Sequence, residues 1–368
     1  MPGPNSATAI DINDPQTLIA MINELKVAPR FLIDTYFPCN PDTDIFHSDE
    51  VLIDYDTQSF GIAPFIKSGA VNSNRDTFYT DKFSPARIAE FRAMTVDDLK
   101  KRGFSEAVFS GLAPDQREAA IAARDMRDLI DRITRTQELM AANCLQDDAY
   151  TCVYVDKDGQ KVENGEVSIS FHDNDSNPSK YVPGKPWDSA ESNILGDLRN
   201  MSRVLTRHGC VAADIIAGSD ASELIQRNAE IQKLFDNRRF EMGTIDPKLQ
   251  ESGAIVIGFL NVDGVLIRVL QYMREYQNAT NVMTPFIAPG KCIMTAPGAG
   301  KTLYASVTQM DTPNTYEYTT HAEKFVPKIT VDQENDRRKL IMSSRPLLVP
   351  KKAACWVSAD VTTPAESV

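Results

Sequence analysis

One stretch of the sequence has residue types and spacing that suggest catalysis, a glycine-rich run at 295–302 that ends in lysine and threonine. A phosphate-binding loop of the Walker type needs backbone N–H groups around the phosphate, followed by a helix whose N-terminus faces the anion. Here Thr295 replaces the first glycine, Pro297 removes one amide, and a β-like segment begins at Leu303. We therefore interpret the run as a crossover between two domains, and an ATPase that depends on Gly298–Thr302 is the disfavoured alternative.

The other residues that could do chemistry give little support to metal, redox or hydrolytic function. The six cysteines form no CxxC pair and are irregularly spaced, which is typical of free thiols in a reducing compartment. The four histidines form no HExxH pattern, and neither GxSxG nor GxGxxG occurs. The polar run 172–178 lacks the glycine and distal glutamate of an EF-hand loop, so turn formation explains it better. We expect no metal, no cofactor and no enzymatic activity.

Composition narrows the class of protein further. The 368 residues, 42% hydrophobic and 24% charged, have an ordinary globular balance, and their number suggests about two domains. A net charge of −12 without a strong Lys/Arg cluster argues against a large nucleic-acid-binding surface. No apolar run is long enough to span a membrane, and the N-terminus lacks the features of a secretory signal.

The longest predicted element is a helix over Pro114–Leu145. Its apolar residues recur at i, i+3, i+4 and i+7 and form one stripe: Ala119, Ala122, Met126, Leu129, Ile130, Ile133, Met140 and Cys144. Charged residues cover the rest, including Glu138, and Asp128 and Arg132 have the spacing of a favourable ion pair. We expect this rod to brace a flat domain formed by a hairpin at 150–171 and the late strands, and to carry no chemistry.

The segments before this helix have too little apolar surface to form a core of their own. Residues 1–43 predict an arm with a first helix after Asp14 and a second apolar turn near Pro38. Residues 44–92 change to a two-residue period, which predicts a long β-hairpin. An isolated hairpin is marginal in water, so it packs either on another subunit or on its own domain, and the residues leave both open. The residues that we expect to contact another subunit are Phe31, Phe37, Phe60, Phe65, Lys67, Arg75, Phe78 and Tyr79.

The second half of the chain mixes helices and strands. Residues 187–300 predict an inserted α/β domain, with a helix capped by Asp188 and a strand pair turning at Asp263–Gly264. The flanking segments 93–186 and 301–368 then form one domain that the insert interrupts. The predicted fold class is α+β.

Four short segments, in their order and spacing, resemble the major capsid protein family of phage lambda type. They are Gly61–Gly69, Thr95–Leu99, Asp125–Asp128 and Arg337–Leu348. The resemblance covers nearly the whole chain, from about residue 17 to residue 360.

That resemblance implies the Hong Kong 97 type capsid fold. The long helix would be its spine helix, 44–92 its extended loop and 1–43 its N-terminal arm. Residues 187–300 would be the axial domain, and 93–186 with 301–368 the peripheral domain. The implied function is self-assembly into the icosahedral head of a tailed phage, first as a procapsid and then as an expanded capsid that encloses double-stranded DNA.

The resemblance also implies partners and a location. Other copies of the chain would form pentamers and hexamers, with a separate scaffolding protein because we see no room for a scaffolding segment before the arm. A portal, in some shells a decoration protein, and non-specifically contacted DNA complete the set, with no membrane. Assembly would take place in the host cytoplasm and yield the virion. Covalent cross-linking through Lys67 is disfavoured because no Asn partner is indicated. An encapsulin-like compartment shell is the alternative within this fold.

Overall fold

The computed structural model describes residues 30–56, 78–100, 114–156, 160–172, 177–235, 253–278, 280–310, 318–352 and 354–363. The helices in these ranges are α1 Phe31–Tyr36, α2 Val96–Lys100, α3 Pro114–Asp147, α4 Ile194–Arg207, α5 Ser219–Arg227 and α6 Ala229–Phe235. The strands are β1 Val51–Asp56, β2 Phe78–Phe83, β3 Ile88–Thr95, β4 Ala149–Val155, β5 Lys161–Ser170, β6 Lys180–Tyr181, β7 Asp214–Ala217, β8 Ala254–Val262, β9 Val265–Tyr272, β10 Glu275–Gln277, β11 Met283–Pro285, β12 Lys291–Thr295, β13 Gly300–Tyr304, β14 Val307–Met310, β15 Tyr318–His321, β16 Val326–Asp332, β17 Arg337–Ser344, β18 Pro346–Pro350 and β19 Val357–Asp360.

The long helix predicted from the apolar stripe is confirmed. Helix α3 has 34 residues, so it is about 51 Å long at ~1.5 Å per residue. In its middle, Leu129 and Ile133 are buried in one cluster with Leu340 of β17. Towards its C-terminus, Leu145 shares a core with Tyr150 of β4. The helix therefore packs across hairpin β4–β5 and the late strands, as the sequence analysis predicts.

The charged side of α3 is paired differently from the prediction. The Arg132 Nε atom contacts Glu90 Oε2 of β3 at 2.6 Å. Asp128 Oδ2 lies 3.6 Å from Arg92 NH2, also on β3. These residues thus tie the helix to a neighbouring strand and not to the next turn of the same helix, because β3 passes beside that face.

A six-stranded sheet forms the second half of the fold, in the order β6-β19-β12-β7-β9-β8. Strands β7 and β9 are parallel and β6 is parallel to β19, whereas the remaining neighbours are antiparallel. Strand β19 lies between β6 and β12, although both β19 and β6 fall outside the predicted insert at 187–300. Strand β19 nevertheless also contacts the long helix, as expected of the late strands, because the Ser358 hydroxyl donates to the Gln146 carbonyl of α3 at 2.6 Å.

The helices of this half begin where side chains satisfy their first amides. The Asn193 side chain accepts a hydrogen bond from the Gly196 amide at 2.8 Å and caps α4. The predicted cap, Asp188, lies further upstream and accepts a hydrogen bond from the Thr363 amide. The predicted turn between β8 and β9 is confirmed, and its residues Asp263 and Gly264 have positive φ angles of 50° and 87°.

The predicted hairpin before the long helix is confirmed at its base. Strands β1 and β2 are antiparallel, with Val51 opposite Phe83 and Asp56 opposite Phe78. Strand β3 does not continue this hairpin; it pairs with β17, which in turn pairs with β16. Val51 is fully buried in the main core. The base of the hairpin therefore folds back on its own domain, which settles the open alternative for this part.

Two negative findings concern the described ranges alone. Within them, no helix is long and apolar enough to cross a membrane. The same ranges contain no group of three His, Cys, Asp or Glu side chains placed to hold a metal ion.

Candidate functional site: the arm dock and the exposed hairpins

The N-terminus of α1 is held by the buried carboxylate of Glu138 in α3. Glu138 Oε1 accepts hydrogen bonds from the Leu32 amide at 2.8 Å and the Tyr272 hydroxyl at 2.7 Å. Glu138 Oε2 accepts one from the Ile33 amide at 3.2 Å. The carboxylate thus satisfies two amides of the first helical turn, which have no partner inside the helix. The prediction that Glu138 lies on the charged, solvated side of α3 is wrong, since it is 2% exposed.

Burial and hydrogen bonding shift the pKa of the Glu138 carboxylate in opposite directions. Burial raises the pKa of Glu138, and the hydrogen bonds from Leu32, Tyr272 and Ile33 offset part of that increase. Burial also raises the pKa of Tyr272, so its hydroxyl stays protonated and able to donate. The Glu138 contacts therefore work as a helix cap formed in the tertiary structure.

Aromatic rings hold the same segment on its other sides. The Phe31 ring stacks on Tyr272 with centroids 5.7 Å apart, and Phe37 packs against Trp356 at 5.6 Å. Phe31 is 7% exposed and Phe37 is fully buried. Phe31 and Phe37, which we expect to contact another subunit, are thus already covered by their own chain. A Cβ at Gly300 would lie 2.4 Å from the Phe37 ring, so the close approach requires glycine there.

A third contact links the arm to the six-stranded sheet. The Tyr36 hydroxyl donates to Asp214 Oδ2 at 2.9 Å. Arg268 donates to both oxygens of Asp214, at 2.9 and 2.8 Å, from the neighbouring strand β9. Burial, and then the charge of Asp214, raise the pKa of Tyr36, which keeps the hydroxyl protonated. We call α1 and Phe37, together with Glu138, Asp214, Arg268, Tyr272 and Trp356, the arm dock.

The glycine-rich run at 295–302 also serves the arm dock. The Gly298 amide donates to the Thr35 carbonyl at 2.8 Å, and the Thr302 hydroxyl donates to the Phe37 carbonyl at 2.8 Å. Lys301 lies in β13, opposite Val349 of β18. A strand stands where a phosphate loop would need a helix, and the amide of Gly298 is already engaged. The geometry supports the crossover interpretation and opposes the ATPase alternative.

The remaining predicted contact residues belong to the hairpin β1–β2 and the segment between its strands. Phe60, Phe65, Lys67 and Arg75 lie outside the described residues. The other two, Phe78 and Tyr79, lie on β2, opposite Asp56 and Tyr55 of β1.

Hairpin β4–β5 exposes apolar side chains that the sequence analysis did not single out. Val153, Val155 and Val162 are 47%, 59% and 40% exposed, and Tyr154 and Val167 are similarly open. Clustered apolar exposure of this kind marks an interaction surface more often than an ordinary surface. The unbroken apolar run Cys152–Val155 contained the signal, since successive side chains of a strand point to opposite faces and the run therefore places apolar residues on both faces of a two-stranded ribbon.

A long helix packed across the sheets, an arm segment held against it and an exposed two-stranded hairpin are features of a shell-forming subunit of the Hong Kong 97 type. The family profile described as "Phage major capsid protein E" matches residues 14–361. The chain belongs to that family and is a capsid shell protein.

Solved structures agree with this fold. The chain is similar to a protein described as a prophage capsid protein from E. coli CFT073, with a TM-score of 0.63, 16% identity, and coverage of 95% of this chain and 99% of that one. It is also similar to a phage-related protein from Bordetella bronchiseptica RB50, with a TM-score of 0.52, 10% identity, and coverage of 96% and 98%. A sequence search of curated proteins finds no match. The predicted family resemblance and fold class are confirmed, and the family is one of phage capsids, not of encapsulin-like compartments.

Proposed function

We propose that this capsid protein forms its shell through pentamers and hexamers in which hairpin β4–β5 of each subunit packs on a neighbouring copy. The observation that carries the proposal is the apolar exposure on that hairpin, because a two-stranded ribbon with open valines is marginal alone and gains stability by burial. The segment between β1 and β2 would reach a second neighbour, through Phe60, Phe65, Lys67 and Arg75.

The proposal also assigns a place in the shell to each segment of the subunit. The insert at 187–300, completed by β6 and β19, would face the centres of pentamers and hexamers as an axial domain. The segments 93–186 and 301–368 would form the peripheral domain, with 44–92 as the extended loop and 1–43 as the arm. The subunit would have no enzymatic role.

The partners of assembly are part of the same proposal. A separate scaffolding protein would guide a procapsid in the host cytoplasm, a portal would occupy one vertex, and some shells would bind a decoration protein. The net charge of −12 suits a wall that contacts packaged double-stranded DNA weakly.

The test compares one apolar and one polar position on exposed strands. Val155→Glu places a charge on hairpin β4–β5 beside its cross-strand partner Lys161, so the hairpin itself keeps its pairing. Thr319→Glu places the same charge on the exposed strand β15. We expect both variants to fold, with unchanged circular dichroism and melting temperature, and only Val155→Glu to lose shells in negative-stain electron microscopy.

Two outcomes would contradict the proposal. Normal shells from Val155→Glu would show that hairpin β4–β5 is not a subunit contact. Failure of the wild-type chain to form shells or capsomers, with or without a scaffolding partner, would contradict the assembly function. Deleting 67–75 offers a second measurement, and we expect a folded subunit that assembles poorly.

A further inference from the structure

Two cysteines that are far apart in sequence lie close together, one just after α4 and the other just before β19. The Sγ atoms of Cys210, after α4, and Cys355, before β19, lie 3.7 Å apart, although 145 positions separate the residues. All six cysteines are free thiols. A disulfide has an S–S distance of ~2.05 Å, so bond formation requires the two sulfurs to approach by about 1.7 Å. Rotation of the two side chains about χ1 changes the separation of their sulfur atoms, and this movement would supply the approach.

The two thiols differ in the way that an attacking and a resolving cysteine differ. Cys210 is half-buried, whereas Cys355 is 4% exposed. The hydrogen bond with Cys355 lowers the pKa of Cys210 to about 7, burial opposes this, and the nearby Lys352 charge adds to it. The lowered pKa favours the thiolate form of Cys210, and the thiolate is the nucleophile in disulfide exchange.

The other cysteines provide an internal contrast. Burial raises the pKa of Cys39, Cys152 and Cys144, and it raises the pKa of Cys292 to about 12. These four thiols are therefore poor nucleophiles at neutral pH. Reactivity is concentrated at the pair.

We propose that Cys210 and Cys355 are a redox-modification site that a small disulfide, such as oxidised glutathione, converts into an intrachain disulfide. In the first step the Cys210 thiolate attacks one sulfur of the small disulfide, forms a mixed disulfide and releases one thiolate. In the second step Cys355 loses its proton and its sulfur attacks Cys210 Sγ, which releases the second thiolate. The pair loses two electrons and two protons, and the small disulfide is reduced to two thiols.

The bond would join two segments that the arm dock depends on. The Cys355 carbonyl accepts a hydrogen bond from the Thr295 hydroxyl of β12, and the next residue, Trp356, packs against Phe37. A cross-link to Cys210 would hold the start of β19 against the loop that leads into β7. This role rests on the proposed function: the disulfide would form within each subunit and stabilise its fold once shells leave a reducing cytoplasm for an oxidising medium.

The test uses the purified full chain, treated with oxidised glutathione at neutral pH and then digested without reductant. We expect the titratable thiols to fall by two, a linked peptide pair containing Cys210 and Cys355, and a higher melting temperature than the reduced chain. Cys355→Ser should instead keep a glutathione adduct on Cys210, and Cys210→Ser should give neither product. Cys152→Ser, the loss of a half-buried but unreactive thiol, should behave as the wild type.

A second measurement covers the case in which a serine variant does not fold. In the native wild type, iodoacetamide should alkylate Cys210 at least tenfold faster than Cys39 or Cys152 at neutral pH. Equal alkylation rates, or a glutathione adduct on wild-type Cys210 that is never resolved by Cys355, would overturn the proposal. Because these measurements need no shells, their failure leaves the assembly result unaffected, and failed assembly leaves the cross-link result unaffected.

Discussion

Removing the carboxylate of Glu138 tests whether the arm dock is held as described. In Glu138→Ala, the Leu32 amide, the Ile33 amide and the Tyr272 hydroxyl all lose their acceptor in a buried place. Each unsatisfied donor destabilises the fold by about 1–3 kcal/mol. The net destabilisation is smaller than the total of these costs, because a buried charge is also removed and water can enter to hydrate the donors. We expect the substitution to reduce the free energy that holds α1 in place by about 3–5 kcal/mol.

The amide variant Glu138→Gln should cost less. Its carbonyl oxygen can replace Oε1 and keep the Leu32 and Tyr272 hydrogen bonds, while its NH₂ group faces the Ile33 amide without accepting. One donor is then unsatisfied, which corresponds to about 1–3 kcal/mol. Arg135→Ala, an exposed change on the same helix, should stay within about 0.5 kcal/mol of the wild type.

Hydrogen exchange at the amides of Leu32 and Ile33 is the direct assay. A loss of about 3 kcal/mol in local opening free energy accelerates exchange roughly a hundredfold, at ~1.36 kcal/mol per factor of ten. Exchange in Glu138→Ala that differs from the wild type by less than threefold would refute the reasoning. So would equal effects of the alanine and glutamine substitutions, since the carboxylate geometry would then be irrelevant.

Three further predictions concern packing and pH. Ile133→Ala should lower the free energy of unfolding by about 2–5 kcal/mol in urea titrations, whereas Thr136→Ala on the exposed side of α3 should not. Gly300→Ala should displace the Phe37 ring and cost about 1–3 kcal/mol, measured by tryptophan fluorescence during urea unfolding. Because burial raises the pKa of Glu138 above its unfolded value of ~4.3, its protonation stabilises the fold. That contribution is full below the unfolded pKa and is lost as the pH rises through the folded pKa. Urea titrations over this pH window should therefore show the wild type losing stability relative to Glu138→Gln. An unchanged difference between the two proteins would contradict the raised pKa of Glu138.

Periodicity was sufficient for the elements whose pattern is local. The stripe from Met126 to Cys144 has the spacing of a helix face, and the structure contains that helix with the same face buried. The alternation after Val51 and the Asp263–Gly264 turn likewise mark pairs of strands that lie next to each other in the chain. In each case the information lies within one element or its immediate neighbour.

The contacts that sequence reasoning missed are non-local. Glu138 follows the helical pattern of a solvated residue, and only the arrival of α1 and Tyr272 gives its carboxylate buried partners. The bidentate pair of Asp214 and Arg268 depends on the parallel register of β7 and β9. Strand β19 pairs with β12 across more than sixty residues of chain, for which short-range propensity contains no signal.

The position of β19 has a consequence for synthesis of the protein. A ribosome delivers residues 357–360 after the rest of the six-stranded sheet, yet that strand occupies an interior position between β6 and β12. Trp356, which completes the packing around Phe37, arrives equally late. We therefore expect a polypeptide released before these residues to lack both a finished six-stranded sheet and a fully packed arm.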